Sequence, residues 1–194
     1  MTLSRRNLLI LTPALLTGCI GGGPPPRHFG LNAAGVKQDN GPTWLLAVAE
    51  PKSLQYLDSE RIAVRPESLE FSYYAGADWI DRAPAMLQML TIRSFQNRTR
   101  LQVTALGQSG PQPDFVLTGL LQDFQAERGG AHILLVASLA RGSRRQIVQT
   151  KSFDVFSPAS GAAIENMVDA FNRAFADLMD QLIAWTLQVA AQPT

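Results

Sequence analysis

The side chains able to do chemistry are few, and their spacing excludes most of what they could do. The chain of 194 residues holds one cysteine, Cys19, and two histidines, His28 and His132. A lone thiol makes no internal disulfide and no multi-cysteine zinc site. The histidines are too far apart in sequence for a His-x-x-x-His or Cys/His ligand spacing. A serine triad would need His132 beside a serine and a carboxylate, and no Gly-x-Ser-x-Gly elbow occurs. No phosphate loop or dinucleotide glycine fingerprint is present either. Glu67 with Glu70, and Asp78 with Asp81, are neighbouring carboxylates. Acid–base work would require a shared cleft that splits their pKa values, whereas solvated surface and helix capping are simpler roles. These residues support a protein that is not an enzyme and that holds no metal or cofactor.

Cys19 has a different use. Arg5 and Arg6 precede the short apolar run NLLILTPALL, followed by Thr17, Gly18 and Cys19. Basic end, apolar middle and small residues at a cut site make the plan of an export signal. The run is short for a permanent membrane helix. Leu16-Thr17-Gly18-Cys19 resembles the bacterial lipobox, in which the thiol receives a diacylglycerol and the chain is cut before the cysteine. This implies a signal peptide over residues 1–18 and an acylated Cys19 as the new N-terminus. SRRNLLI resembles a twin-arginine signal, and an ordinary Sec signal with two arginines reads equally well. Ile20 stands where an inner-membrane retention aspartate would stand, which by resemblance favours the outer membrane. A bacterial signal also leaves Asn97-Arg98-Thr99 without meaning as a glycosylation sequon.

Gly21-Gly22-Gly23-Pro24-Pro25-Pro26 then reads as a solvated tether. Ile20 to Pro26 would span roughly 20 Å at the extended proline rise of about 3.1 Å per residue. Residues 19–42 form this lipidated, Gly/Pro-rich N-terminus; His28 to Gly41 either continues it or docks an edge strand through Phe29 and Leu31. The formal net charge is +1, from 17 basic and 16 acidic residues, and loss of Arg5 and Arg6 with the signal makes it −1. That balance offers no field for nucleic acid. The whole chain is 46% apolar and 17% charged, which suits a packed globule, and residues 43–190 read as a single domain.

Strands are expected at Thr43–Ala49, Arg61–Arg65 and Ser68–Tyr74, where Leu69, Phe71 and Tyr73 share one face at period two. Pro84 suits the first turn of a helix running to about Gln96, capped by Asp81 or Ala83. Met86, Leu87 and Leu90 line one side of it, widened by Met89 and Ile92. Arg100–Leu106 reads as a strand. Asp114–Glu127, Ala131–Arg141 and Arg145–Phe156 read as a meander, separated by Gly129-Gly130 and Gly142-Ser143. From Ser160 to about Val189, Met167, Phe171, Phe175, Leu178, Leu182 and Trp185 recur at helical spacing. Phe171, Phe175 and Trp185 make either an apolar groove or a core-facing stripe. The fold class is α+β, an antiparallel sheet with two helices packed on one face.

The segment LDSERIAVRPESLEFSYYAGADWIDRAPAMLQMLTIRSF, Leu57 to Phe95, resembles the ABC-type transport auxiliary lipoprotein family, which includes the PqiC-like lipoproteins of MCE (mammalian-cell-entry) lipid transport systems. The likeness rests on Arg-Ile-Ala-Val-Arg, the tyrosine-ended strand at Tyr73 and Tyr74, Ala77-Asp78-Trp79, and Pro84 opening a helix. DFVLTGLLQDFQAERGGAHILLVASL and the closing helix through Trp185 follow in order. The resemblance implies a periplasmic docking or lipid-handover subunit at the outer membrane, beside an MCE protein and its permease and ATPase, with phospholipid or another lipid as cargo that the resemblance does not fix. Trp79, with Tyr73 and Tyr74, is either an interface anchor or a clamp holding the helix entry on the sheet. The alternatives are an outer-membrane lipoprotein that activates a peptidoglycan enzyme, and a lipid carrier with a groove at Phe171 and Phe175. A homo-oligomer would suit a conduit. Replacing Cys19 by Ser should leave the fold intact and release the protein from membranes; protein that still sediments with membranes after a high-salt wash would overturn the lipobox reading.

Overall fold

The computed structural model describes residues 25–35, 42–65, 70–142 and 146–192. Cys19, the export signal, the start of the tether, Glu67, Leu69 and Ser143 lie outside them.

The meander forms as expected. β7 (Phe115–Glu127), β8 (Gly130–Arg141) and β9 (Gln146–Pro158) are joined antiparallel along nearly their whole lengths. Glu127 pairs with Gly130, so Arg128 and Gly129 alone turn the chain, and Gly129 takes a φ of 82° that side chains disfavour. Gly130 is required for another reason: a Cβ there would lie 2.2 Å from the Ser157 carbonyl oxygen on β9.

The rest of the sheet is built on the other edge of β7. β2 (Leu45–Val48) pairs with Phe115–Leu117, β3 (Lys52–Ser53) with Leu120–Leu121, and β4 (Arg61–Val64) with Gln125–Ala126, all parallel. Outside them, β6 (Gln102–Ala105) adds parallel to β2, β5 (Ser72–Trp79) antiparallel to β4, and β1 (Arg27–Phe29) parallel to β5. The α+β class is as expected, but the sheet is mixed rather than wholly antiparallel. Parallel neighbours need long crossovers, and the chain supplies one by placing β3 to β6 and the first helix between β2 and β7. Leu46, Ala47 and Val48 are accordingly buried on both faces of β2, as a continuous apolar run in a parallel setting should be.

Two boundaries differ from the sequence reading. The folded part starts at Arg27, not at position 43. Phe29 pairs with Trp79, and Leu31 and Ala34 are buried, so the edge-strand alternative is the one adopted. β5 runs through Ala77-Asp78-Trp79, beyond the expected end at Tyr74, while Phe71 precedes it and is 52% exposed, with its ring against Tyr56 at 4.6 Å.

Helices α1 (Ala83–Arg98) and α2 (Ile164–Ala190) cover one face of the sheet. Pro84 occupies the first turn of α1, where a missing N–H costs nothing. Its N-cap is Arg82, not Asp81 or Ala83, and no side chain caps the helix; the Asp81 carboxylate instead accepts the Arg82 N–H at 2.7 Å. The Arg82 guanidinium bridges Glu50 and Asp58, so its position is held by side-chain pairs rather than by a cap. Met86, Leu87, Leu90, Ile92 and Phe95 are buried, whereas Met89 points to solvent. Buried Ser94 donates to the Leu90 carbonyl and accepts the Ala34 N–H, fastening the N-terminal segment to α1.

The α2 stripe meets the sheet in an aromatic cluster. The rings of Trp79, Phe124 and Phe171 lie 5.0–5.4 Å apart, with Trp79 edge-on to Phe171. Such packing adds to the area the rings remove from water. Phe171→Ala should cost about 3–5 kcal/mol of folding stability, read from a denaturant titration; a loss under about 1 kcal/mol would mean that this face is not packed.

Candidate functional site

Of the residues singled out from the sequence, Trp79, Pro84, Phe171, Phe175 and Trp185 are buried in the core, whereas His132 stands on the opposite face of the sheet. Trp79 is 0% exposed at the end of β5, so its ring is part of the core and not an interface anchor. It holds β5 against α2 rather than only the entry of α1. Phe171 and Phe175 are equally buried. Trp185 packs edge-on against Phe153 at 5.6 Å, and its indole N–H donates to the Gln149 side chain at 3.3 Å. The α2 stripe is therefore a core face covered by the sheet, and the open groove considered for Phe171 and Phe175 is not formed. Pro84 is buried in the first turn of α1. Tyr73 is half-buried; its hydroxyl donates to the Tyr56 carbonyl at 3.2 Å, and the Arg61 guanidinium lies 4.1 Å from its ring centroid. Tyr74 packs against the core from the same strand.

Where α1 and α2 part, a small apolar cleft reaches the sheet. Leu87 and Thr91 of α1, Phe175 and Leu178 of α2, and Gly119 of β7 line it. Gly119 leaves the floor open, since a Cβ there would meet Leu135 at 3.0 Å and Pro51 at 3.2 Å. Its volume is about 30 Å³, room for a water or two rather than for an acyl chain. Arg98 and Asp180 join the helices beside it by an ion pair.

The sheet face turned away from the helices carries the other polar and apolar surface. Leu54 and Leu120 are exposed there, Leu120 by 44%. At the β7–β8 hairpin end, His132 is flanked by carboxylates, its Nδ1 3.1 Å from Glu127 and its Nε2 2.7 Å from Asp154. Both ring nitrogens are thus taken by carboxylates instead of a serine. Among the described residues, no three His, Cys, Asp or Glu groups are placed to hold a metal ion. No described helix is long and apolar enough to cross a membrane. Sequence reading missed the His132 cluster because Asp123, Glu127 and Asp154 reach it only through strand register. The one available signal was the pairing expected of a meander across Gly129-Gly130.

These features define a small α+β module with a mixed sheet, two helices on one face and a closed aromatic core. The chain belongs to the family described as ABC-type transport auxiliary lipoprotein component, whose sequence model matches residues 31–183. It is thus a lipoprotein component associated with ABC-type transport, a protein of the cell envelope. It is similar to the crystal structure of protein XCC0632 from Xanthomonas campestris, of family DUF330, at 26% identity and a TM-score of 0.76, over 84% of this chain and 96% of that one. A second solved structure, of an uncharacterised protein, shares the fold at 12% identity and a TM-score of 0.66, over 84% of this chain and 99% of the other. No curated protein matches the chain.

Removing the Tyr73 hydroxyl should be mild. Tyr73→Phe is expected to lose about 0.5–1.5 kcal/mol, the usual net worth of one hydrogen bond. A denaturant titration showing no loss would mean that the bond to Tyr56 contributes nothing.

Proposed function

We propose that this chain is an outer-membrane-anchored periplasmic accessory lipoprotein of an MCE-type intermembrane lipid transport system. The observation that carries the reading is the family match over residues 31–183 to an ABC-type transport auxiliary lipoprotein component. The lipobox-like Leu16-Thr17-Gly18-Cys19 and the absence of aspartate after Cys19 support the outer membrane as its address. Two or three acyl chains on Cys19 would hold it there, since each buried methylene contributes about 0.8 kcal/mol.

In this role the protein works by contact and catalyses nothing, and its only attached group is the lipid on Cys19. It docks the outer-membrane end of an MCE protein served by a permease and an ATPase, at the point where phospholipid enters or leaves the leaflet. The exposed apolar side chains Phe71 and Leu120 suit such contacts, because the core has no need of them. The small cleft between the helices favours docking over carriage of a whole lipid.

Affinity purification of the acylated full chain from membranes tests this. It should recover an MCE-domain protein together with its permease. Recovery of peptidoglycan synthases instead would overturn it and favour an activator of a cell-wall enzyme. Native mass spectrometry showing stoichiometric phospholipid on this chain alone would replace docking by carriage.

A further inference from the structure

His132 lies on the sheet face opposite the helices, alternating along β8 with the core residues Ala131 and Ile133. Its ring joins three strands. Nδ1 faces Glu127 of β7 at 3.1 Å, with Asp123 of the same strand at 4.0 Å, and Nε2 faces Asp154 of β9 at 2.7 Å. A neutral imidazole has one N–H and one lone pair, so it can donate to only one of two carboxylates. The other contact would then set a lone pair against an oxygen. Only the imidazolium satisfies both. The β7 carboxylates are held in place from behind: buried Gln125 donates to Asp123 at 3.1 Å and to Glu127 at 2.9 Å. Arg65, following β4, faces the same pair at 3.8 and 4.0 Å and offsets part of their charge. Asp154 has no such second partner among these groups, and it sits on β9, which pairs only with β8 among the described residues.

We propose that His132 is a proton-dependent clamp on edge strand β9. Protonated, it ties Asp154 to the β7 carboxylates; deprotonated, it gives up one of them, and β9 loosens from the sheet around Asp154. The edge strand thereby becomes more available for pairing with another chain as pH rises.

Burial pushes the imidazole down, but the hydrogen bonds to Asp154 and Glu127, and then the charges of Glu127 and Asp123, outweigh it, leaving the ring above its ordinary value. Tyr56, the remaining titratable group near Asp123, is raised by burial first and then by that carboxylate, so it stays protonated throughout. The sign follows from linkage. The clamp contributes fully below the unfolded histidine value of about 6.5 and is lost as pH rises through the higher folded value.

The test is an NMR titration of the acylated full chain in detergent micelles with labelled histidine. The chain has two imidazoles, and His28→Gln assigns the signals. His132 should titrate above about 6.5, with both nitrogens protonated below that point. Amide protection factors around Leu134 and Asp154 should fall as pH passes through its titration. In Asp154→Asn, which alters an exposed side chain, the titration should move down and the pH dependence of protection should shrink. His132 titrating at or below about 6.5, or protection in β9 that is independent of pH, would overturn the clamp.

Discussion

The backbone of Phe115–Glu127 is hydrogen-bonded along both edges, to β8 on one side and to β2, β3 and β4 in succession on the other. A buried N–H or C=O left without a partner is costly, so each short strand is stable only because β7 offers its edge at that point. β5, β6 and β1 depend on β7 at one remove, since they pair with strands already placed there. The Asp114 side chain starts the series by accepting the Leu45 N–H at 2.8 Å, just before β2 joins. The register along β7 then decides which residues meet under the helices. It sets Phe124 beside Trp79 and Phe171, and it puts Gln125 and Glu127 on the opposite face, near His132.

That division gives the two faces different physics. The helix side is apolar: α2 buries Phe171, Phe175 and Trp185, and the cleft between α1 and α2 is water-sized. The other side keeps exposed apolar residues and a charged cluster at the hairpin end. Such a division suits a family whose members serve a transporter as auxiliary lipoproteins.

Much of the architecture was legible because its signals are local. Helical spacing from Met167 to Trp185 marks α2, and Pro84 marks the start of α1. Gly129 marks the first hairpin turn, where its φ of 82° is a backbone requirement. What was not legible is strand direction. LLAV and RIAV look alike whether they pair parallel or antiparallel, and neither shows which segment of β7 it meets. The two-residue β3 carries no pattern at all. Arg82 serves as the N-cap of α1 against its propensity, because its guanidinium is engaged by Glu50 and Asp58 from elsewhere in the chain. The choice at Phe29 and Leu31 between tether and strand turned on whether the β5 edge was free.

By itself the sequence determined the α+β class, the two helices and the meander, and it carries the lipobox-like pattern at Cys19. These depend on composition, short-range periodicity and turn residues, which need no partner to be read. Only the tertiary structure decided that Trp79, Phe171 and Phe175 are core rather than surface, that the sheet is mixed, and that His132 stands between carboxylates of two strands. Each of these is a contact between residues far apart in sequence, and its existence depends on register and layer packing, to which no local pattern is bound.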